Sequence, residues 1–342
     1  MKNSIASVEE LDRLLSEPTP GVIETMRRMD GDLILLGVAG KMGPTLARMA
    51  KRASDAAGKP RRIIGVSRFS SPEHERELQQ HGIETIRCDL LDETALGQLP
   101  DVPNVLYLAG MKFGSTGQES LTWAMNTYLP ALVCKKYRHS KIVAFSTGNV
   151  YGLVPVSSGG SVETDIPNPV GEYAMSCLGR ERMFEHFSRT LNIPLAIIRL
   201  NYACEMRYGV LVDLAQRIHA GQPVDLSMGW LNTIWQADAN AFTLQCFDRV
   251  STPPFFLNVT GPELINVREA CEKLAALMNK TVSFTGVPAE TALLNNAERS
   301  FGLFGKPRVN ADQLLTWIAD WIKRGGVTLN KPTHFESRDG KF

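Results

Sequence analysis

From residue 32 onwards, short apolar segments alternate with amphipathic ones, and this alternation constrains the fold more than any other feature. Six segments have the length and aliphatic character of strands: DLILLG (32–37), RRIIGVS (61–67), IETIR (83–87), NVLYLA (104–109), KIVAFS (141–146) and PLAIIR (194–199). Helical patterns lie between most of them, most clearly at 41–57, 118–138 and 170–191. Apolar strands joined through helices form a parallel sheet covered on both faces. The sequence therefore predicts an α/β fold with a doubly wound, Rossmann-type parallel sheet.

Two flanking regions differ from this alternating part. The first 31 residues carry two short helical patterns, which predict a helical N-terminal extension that packs on the core or contacts another copy. After residue 200 the alternation loosens, and two amphipathic helices close the chain. We expect the Rossmann-type domain over 32–200, with the chain returning to it by about 230–250. Most of 201–342 is then expected to form a smaller C-terminal α/β lobe that binds substrate.

Composition narrows the classes of partner and compartment. The chain has 37 Lys+Arg against 36 Asp+Glu, a balance that argues against nucleic acid or an acidic membrane surface as partner. No apolar segment approaches the ~18 residues of a membrane-spanning helix, and the N-terminus lacks the apolar segment of a secretion signal. We therefore expect a cytoplasmic protein. The six cysteines are never closer than 25 positions and the histidines form no ligand motif, so no metal is expected.

The segment GVAGKMGPT follows the first predicted strand and opens a predicted helix. It places Gly37, Gly40 and Gly43 three positions apart, with Lys41 and Met42 between the last two. Glycines permit a tight turn and a close approach of the backbone to a pyrophosphate, and the helix N-terminus beyond offers free N–H groups. The arrangement predicts a dinucleotide site to which these five residues contribute.

The end of the second predicted strand selects between the two nicotinamide dinucleotides. A carboxylate there accepts a hydrogen bond from the ribose 2′-OH of NAD, whereas a basic residue accommodates the 2′-phosphate of NADP. Here the chain has Ser67 and Arg68 and no acid, and Lys41 can add a second cation. We predict NADP. NAD is the alternative if Arg68 and Lys41 are only solvated surface charges.

Further motifs follow the later strands: CDL (88–90), LAGMK (108–112), FSTGNVYG (145–152) and GEYAMSC (171–177). With the glycine loop, they resemble the extended short-chain dehydrogenase/reductase family, in the NAD(P)-dependent epimerase/dehydratase branch that includes UDP-galactose 4-epimerase. The resemblance covers roughly residues 32–325 and implies a nicotinamide cofactor. It implies further cofactor contacts from Asp89, Leu90, Leu108, Ala109, Gly110, Lys112, Asn126 and Ser146.

The catalytic motif of that family is present only in part. The resemblance places Thr147 at the active-site Ser/Thr and Tyr173 at the tyrosine of a YxxxK motif, but Cys177 stands where the family has lysine. Residues at i and i+4 share a helix face, so a lysine there would hold its ammonium near the phenol and the nicotinamide ribose. That charge would lower the phenol pKa from its usual value of about 10. Cysteine brings no such charge.

Three interpretations of Cys177 stay open. It is a hydrophobe in a site whose chemistry has weakened, a part of an altered proton relay, or a nucleophile. The last is disfavoured because no neighbouring histidine is visible to form its thiolate. Arg180 lies on the same helix face, but its position about 10 Å further along the axis predicts a poor direct substitute for the lysine. Lys112 and an oxidised nicotinamide could supply part of the missing positive field.

The segment GWLNTIWQAD (229–238) corresponds to the stretch in which family members acting on nucleotide sugars carry an arginine for the diphosphate. Asp238 is retained, but Leu231, Asn232 and Thr233 stand where the charge is expected. We therefore expect a free sugar, a sugar acid or a related polyol as substrate.

The substrate is expected to contact amide and aromatic side chains, namely Asn149, Asn201, Trp230 and Asn232. Arg207 and Arg217 remain available for a carboxylate. The alternative for Trp230 and Trp235 is packing in the core.

These residues predict reversible hydride transfer between a carbinol carbon and nicotinamide, with Tyr173 relaying the hydroxyl proton and Thr147 orienting the substrate. Oxidoreductase, epimerase and dehydratase outcomes stay open. A catalytically silent NADP-binding protein, a sensor or partner subunit, is the alternative that Cys177 favours. A homodimer is expected through the helices at 118–138 and 170–191, as is common in this family.

Overall fold

The computed structural model describes residues 4–112 and 117–340. The helices are α1 (Val8–Leu15), α2 (Pro20–Arg28), α3 (Gly43–Ala56), α4 (Pro72–Gln80), α5 (Glu93–Gln98), α6 (Glu119–Trp123), α7 (Leu129–Lys136), α8 (Gly171–Leu191), α9 (Val210–His219), α10 (Gln236–Gln245), α11 (Val267–Met278), α12 (Glu298–Phe304) and α13 (Ala311–Lys323). The strands are β1 (Leu33–Leu36), β2 (Ile63–Ser67), β3 (Glu84–Arg87), β4 (Asn104–Tyr107), β5 (Lys141–Thr147), β6 (Val154–Pro155), β7 (Leu195–Leu200), β8 (Ala203–Cys204), β9 (Val224–Asp225), β10 (Trp230–Leu231), β11 (Ile234–Trp235), β12 (Phe255–Val259), β13 (Ile265–Asn266), β14 (Phe284–Thr285) and β15 (Thr291–Ala292).

In the described residues, seven strands form one sheet in the order β12-β7-β5-β4-β1-β2-β3, and every neighbouring pair is parallel. All six predicted strands are present, and the predicted doubly wound α/β fold is confirmed. The chain leaves β1 towards β2 and β3, then returns to the other side of β1 for β4. Ligands of such sheets bind at this change of direction, outside the carboxyl ends of the strands.

The apolar segments form this sheet because both of its faces are covered. All four residues of β1 and all four of β4 are buried. On one face lies a cluster with Leu106 and Val143, and on the other a cluster with Tyr107 and Phe184. The edge strand β3, in contrast, is partly exposed, which fits its more polar sequence.

The N-terminal extension packs on the same body. Ser7 caps α1, since its Oγ accepts a hydrogen bond from the Glu10 N–H at 3.2 Å. The Asn240 side chain in α10 donates to the Leu15 carbonyl at 3.2 Å, and Thr25 in α2 donates to Asp248 at 2.7 Å. The extension therefore covers α3 and α10. Contact with another copy stays a prediction.

Beyond residue 200 the chain contributes to both parts of the molecule. Strand β12 joins the main sheet beside β7, and α10 packs against α3. Helices α9, α11 and α13 pack on one another away from the sheet. The division at residue 200 stays a prediction, and the main sheet draws on both sides of it. No helix in the described ranges has the length and apolar character needed to cross a bilayer.

Candidate active site

Three connected cavities form a groove along the carboxyl ends of the central strands. The outer cavity, about 520 Å³, is lined by Ser67, Arg68, Asp89 and Leu90. The middle cavity, about 210 Å³, shares Gly37, Gly40, Leu108 and Gly110 with the outer one. The inner cavity, about 150 Å³, shares Lys41, Met42, Lys112, Ser146 and Tyr173 with the middle one. The groove lies at the sheet's change of direction, where the sequence predicts a dinucleotide.

The glycine loop lines the middle cavity because its backbone packs too closely for side chains. Gly37 has φ of +91°, and a Cβ there would lie 2.7 Å from the backbone nitrogen of Ala109. A Cβ on Gly43 would collide with the carbonyl of Val38. Helix α3 starts at Gly43, so its N-terminus faces the cavity. This arrangement fits the pyrophosphate of a dinucleotide.

The outer cavity gathers the residues predicted at the adenosine end. Ser67 ends β2 and Arg68 follows it, Asp89 and Leu90 follow β3, and Leu108 and Ala109 follow β4. Arg68 is exposed at the cavity rim, and no acid follows β2 directly. The cavity therefore offers a cation, with no carboxylate at the predicted position of the ribose contact.

The Lys41 side chain does not lie in the outer cavity with Arg68. Its Nζ donates to the Ala203 carbonyl at 2.7 Å and lies 4.5 Å from the ring centroid of Tyr208. Both partners line the inner cavity and neither lines the outer one. The structure therefore does not support the predicted role of Lys41 as a second cation for the 2′-phosphate of NADP, because its long side chain extends from the loop towards β8. Burial lowers the pKa of Lys41 to about 8, although nearby Glu205 opposes this.

Lys112 is a second half-buried lysine, and it lines both the middle and the inner cavity. Its Nζ donates to the Thr333 carbonyl at 3.3 Å and lies 5.9 Å from the ring centroid of Tyr173. Burial lowers the pKa of Lys112 to about 8, against the effect of Asp213. The described residues that line the inner cavity include both lysines and neither Asp nor Glu.

Asn126 lies behind the groove and lines none of its three cavities. It is buried in a π-helical turn between α6 and α7. Its Oδ1 accepts from the Met111 N–H at 2.8 Å, and its Nδ2 donates to the Met111 carbonyl at 2.9 Å. Asn126 therefore fixes the loop that carries Gly110 and Lys112. The expected direct contact of Asn126 with a cofactor is not supported.

Thr147 and Tyr173 meet in the inner cavity, as the sequence predicts. Thr147 ends β5, Tyr173 lies in the first turn of α8, and a hydrogen bond joins them. Asn149 accepts from Thr147 Oγ1 at 3.0 Å. Burial raises the pKa of the Tyr173 phenol well above its usual value, and the Cys177 thiol raises it further. Arg180 and the hydrogen bond with Thr147 act in the opposite direction.

Cys177 is fully buried one turn after Tyr173. It packs with Val150, Tyr151 and Leu178. Burial raises the pKa of the thiol, although Arg180 opposes this. The thiol is therefore kept protonated, and the surroundings do not favour a nucleophile.

Arg180 and Tyr173 line the same middle cavity, although they are seven positions apart on α8. Side chains on a helix tilt towards its N-terminus, and arginine is long enough to span the remaining turn. Its guanidinium lines the middle cavity together with Tyr173. Nη1 donates to the Phe145 carbonyl at 3.0 Å and Nη2 to Asn126 Oδ1 at 2.6 Å.

The predicted substrate residues separate into two layers. Asn149 and Asn201 line the inner cavity. Asn232 lies behind them, where it accepts from Asn201 Nδ2 at 2.8 Å and donates to the Asn295 carbonyl at 2.5 Å. Trp230 does not line the cavity, because β10 pairs its backbone with Asn266 of β13.

Three other residues of the substrate prediction have partners elsewhere. Trp235 packs edge-to-face on Trp317, with ring centroids 5.6 Å apart, so the core-packing alternative holds for it. Arg207 pairs with Asp12 at 2.8 Å and Arg217 with Glu336 at 3.3 Å. Neither arginine lines the inner cavity. The structure therefore does not support the expected contact of Arg207 or Arg217 with a substrate carboxylate, and Lys41 and Lys112 are the cations that line this cavity.

The sequence analysis missed Tyr202, Tyr208 and Thr333, which also line the inner cavity. Tyr202 follows Asn201 at the end of β7 and has φ of +49°, a conformation that a non-glycine residue rarely adopts. Thr333 belongs to the C-terminal tail (327–340), and its N–H and Oγ1 both donate to Asp213 at 2.7 and 2.6 Å. The position of Tyr202 after a strand was a readable signal. No sequence pattern announced Thr333.

The profile of the NAD dependent epimerase/dehydratase family matches residues 33–229. The chain belongs to this family. This match confirms the predicted resemblance to the epimerase/dehydratase branch and the membership in a family of enzymes. It also confirms a nicotinamide cofactor, for which the prediction allowed NAD beside NADP. No protein of curated function matches the sequence.

Solved structures of similar fold include two sugar-nucleotide epimerases and a dehydratase. UDP-glucuronic acid 4-epimerase from Bacillus cereus has 18% identity and a TM-score of 0.70, covering 86% of this chain and 99% of that one. dTDP-glucose 4,6-dehydratase from Bacillus anthracis has 16% identity and a TM-score of 0.72, covering 86% of this chain and 97% of that one. UDP-glucose 4-epimerase from Thermotoga maritima has 15% identity and a TM-score of 0.68, covering 86% of this chain and 99% of that one. At such identities the likeness shows a shared fold.

Proposed function

We propose that the protein is an NAD(P)-dependent oxidoreductase or epimerase that acts on a hydroxyl of a sugar acid or related polyol. The observation that carries this proposal is the inner cavity. There Thr147 and Tyr173 lie beside two half-buried lysines, directly beyond the part of the groove that fits a dinucleotide. When bound, nicotinamide supplies the acceptor or donor of a hydride.

The protein's own residues perform the proton chemistry. The substrate hydroxyl hydrogen-bonds to Thr147 Oγ1 and to the Tyr173 phenol, which exchanges the proton with it. Asn149 orients Thr147 through the 3.0 Å hydrogen bond between them. The outcome is oxidation when the hydride leaves with the cofactor, and epimerisation when it returns to the opposite face.

The inner cavity supports a small anionic substrate. Its volume of about 150 Å³ is below the ~300–1,000 Å³ of pockets for larger ligands. Lys41 and Lys112 offer positive charge without a competing carboxylate in the lining, and Asn149 and Asn201 offer amides for hydroxyl groups. The B. cereus epimerase binds NAD and UDP-glucuronic acid, and the latter is a sugar acid carried on a nucleotide. Here Leu231 occupies the predicted place of the diphosphate arginine, which favours the free acid.

Two finer points complete the proposal. Ser67 and Arg68 at the outer cavity support NADP over NAD. A homodimer is supported by apolar side chains exposed on two helical segments. Leu121, Trp123 and Tyr128 lie on and after α6, and Met175 lies on α8.

The test is a turnover screen with NAD and NADP against sugars, sugar acids and nucleotide sugars. We expect activity with a free sugar acid, and a loss of about 10²–10⁴-fold in kcat for Tyr173→Phe, because the variant removes the proton relay. Tyr137→Phe is the matched control, since it removes the hydroxyl of another buried tyrosine that lines none of the three cavities.

Two outcomes would contradict the proposal. NADP binding without turnover of any compound would favour the catalytically silent protein. Turnover that survives in Tyr173→Phe would assign the proton transfer to another group.

A further inference from the structure

Arg180 is a buried cation without a carboxylate partner among the described residues. Only 6% of its surface is exposed. The adjacent Glu181 pairs instead with Arg199 at 2.7 Å. Two neutral oxygens accept from the terminal nitrogens, whereas Nε is buried and has no hydrogen-bond partner. Burying a charge in this way is costly, so its retention calls for a function.

The surroundings of Arg180 are built to hold the guanidinium at the groove. A Cβ on Gly110 would collide with Nη2, so any other residue there would displace the guanidinium from its present position. The Phe145 carbonyl that accepts from Nη1 immediately precedes Ser146 and Thr147 of the site. The guanidinium is thus fixed between the end of β5 and the loop after β4, facing the same cavity as Tyr173.

Cys177 and Arg180 lie three positions apart on one face of α8. The thiol is packed with Val150 and Tyr151 and lines none of the three cavities, so position 177 brings no charge to the groove. The guanidinium approaches from one turn later and acts electrostatically on both the thiol and the phenol.

We propose that Arg180 supplies to Tyr173 the positive charge that position 177 lacks. Arg180 is then a positioning residue that acts through the phenol, and Cys177 does not mark a lost activity. This inference rests on the proposed function, since it gives Tyr173 its working environment.

Lys112 and Lys41 are the further cations in the cavities that Tyr173 lines. The other titratable neighbours among the described residues are Cys177 and Glu181 on α8, and Tyr151, which packs with Cys177. The ring of Tyr107 lies 5.8 Å from the Arg180 guanidinium. Burial lowers the pKa of both lysines to about 8, so their ammonium groups lose charge as the pH rises through that value. A guanidinium keeps its charge throughout. Arg180 therefore still favours phenolate formation in the alkaline range, where a raised phenol pKa requires it.

The experiment compares Arg180→Gln with Arg180→Lys, which differ in charge at similar size. The direct readout is ionisation of the phenol, followed by ultraviolet difference titration of each protein against its own Tyr173→Phe derivative. We expect the ionisation to move at least one pH unit higher in Arg180→Gln and to stay near that of the unmodified protein in Arg180→Lys. Arg182→Gln, an exposed arginine paired with Glu185 on the same helix, is the control.

The second readout is the pH profile of kcat in the oxidation direction, in which the phenolate accepts the proton. Its rising limb should move to higher pH in Arg180→Gln, with at least a tenfold loss at pH 8. Adding Cys177→Lys to Arg180→Gln should return both the limb and the phenol ionisation towards those of the unmodified protein.

Equal phenol ionisation in the unmodified protein and Arg180→Gln would overturn the proposal, including the case in which neither ionises before alkaline unfolding. If Arg180→Gln does not fold, the double variant decides. The proposal is supported if the double variant folds and its phenol ionises as in the unmodified protein. It is overturned if the double variant lacks either property. Absence of turnover in the unmodified protein would refute the proposed function while the titration still tests Arg180.

Discussion

The outer and inner cavities of the groove differ in how the chain builds them. The outer cavity is made by residues that directly follow β2, β3 and β4, so each contact stands beside a recognisable strand. The inner cavity draws on β5, α8, the segment after β7 and Thr333 of the tail. One end of the site is thus encoded locally, and the other depends on the packing of distant segments.

The cations at the two ends differ in the same way. Arg68 is exposed at the outer rim. Lys41 and Lys112 are half-buried, and removal from water lowers the pKa of each to about 8. The charge of the inner lysines can therefore change with pH in that range.

Neutralising an inner lysine is the strongest way to test this difference. We expect Lys41→Met to raise the KM for a sugar acid about 10–100-fold, since a charged hydrogen bond contributes about 1.5–3 kcal/mol. The KM for the corresponding neutral polyol should change little. Steady-state kinetics with the matched acid and polyol measure both effects.

The pH dependence follows from the same lysines. Below about pH 8 their ammonium groups carry charge, and above it they lose protons in the free enzyme, so the KM of the acid should rise with pH there. The polyol should show no such rise. An equal rise in the KM of acid and polyol in Lys41→Met would contradict an anion-binding site in the inner cavity.

The glycine loop and the residues after the strands could be predicted because their function depends on local backbone geometry. Gly37 needs positive φ and the absence of a Cβ, and both are properties of one position. The direction of Lys41 could not be predicted, because Ala203 and Tyr208 reach it only in the folded chain. The position of Arg180 along the helix could be predicted from the sequence, but the place of its guanidinium depends on the tilt of the side chain.

A smaller effect is expected for Arg68 at the outer cavity. Arg68→Ala should lower the ratio of NADP to NAD affinity about tenfold, because one charge-assisted phosphate contact contributes about 1.5–3 kcal/mol. Calorimetric titration of both dinucleotides measures the ratio, and Arg62→Ala is the control, since that exposed arginine pairs with Glu84 at 2.7 Å. An unchanged ratio would refute the NADP assignment. Lys41→Met should leave the ratio unchanged, because its side chain extends into the inner cavity.

Trp230 should give the smallest effect on activity, although its size makes it the most conspicuous residue of its segment. It is half-buried, packs on the core and is absent from the inner lining. Trp230→Ala should therefore cost about 1–3 kcal/mol of unfolding free energy and change the KM less than about twofold. Denaturant unfolding and kinetics on the same preparation separate the two quantities. Asn201→Ala is the informative contrast, because this residue does line the cavity and should raise the KM. A larger KM change in Trp230→Ala than in Asn201→Ala would mean that substrate extends past the inner cavity towards β10, which would favour a nucleotide-linked sugar over a free acid.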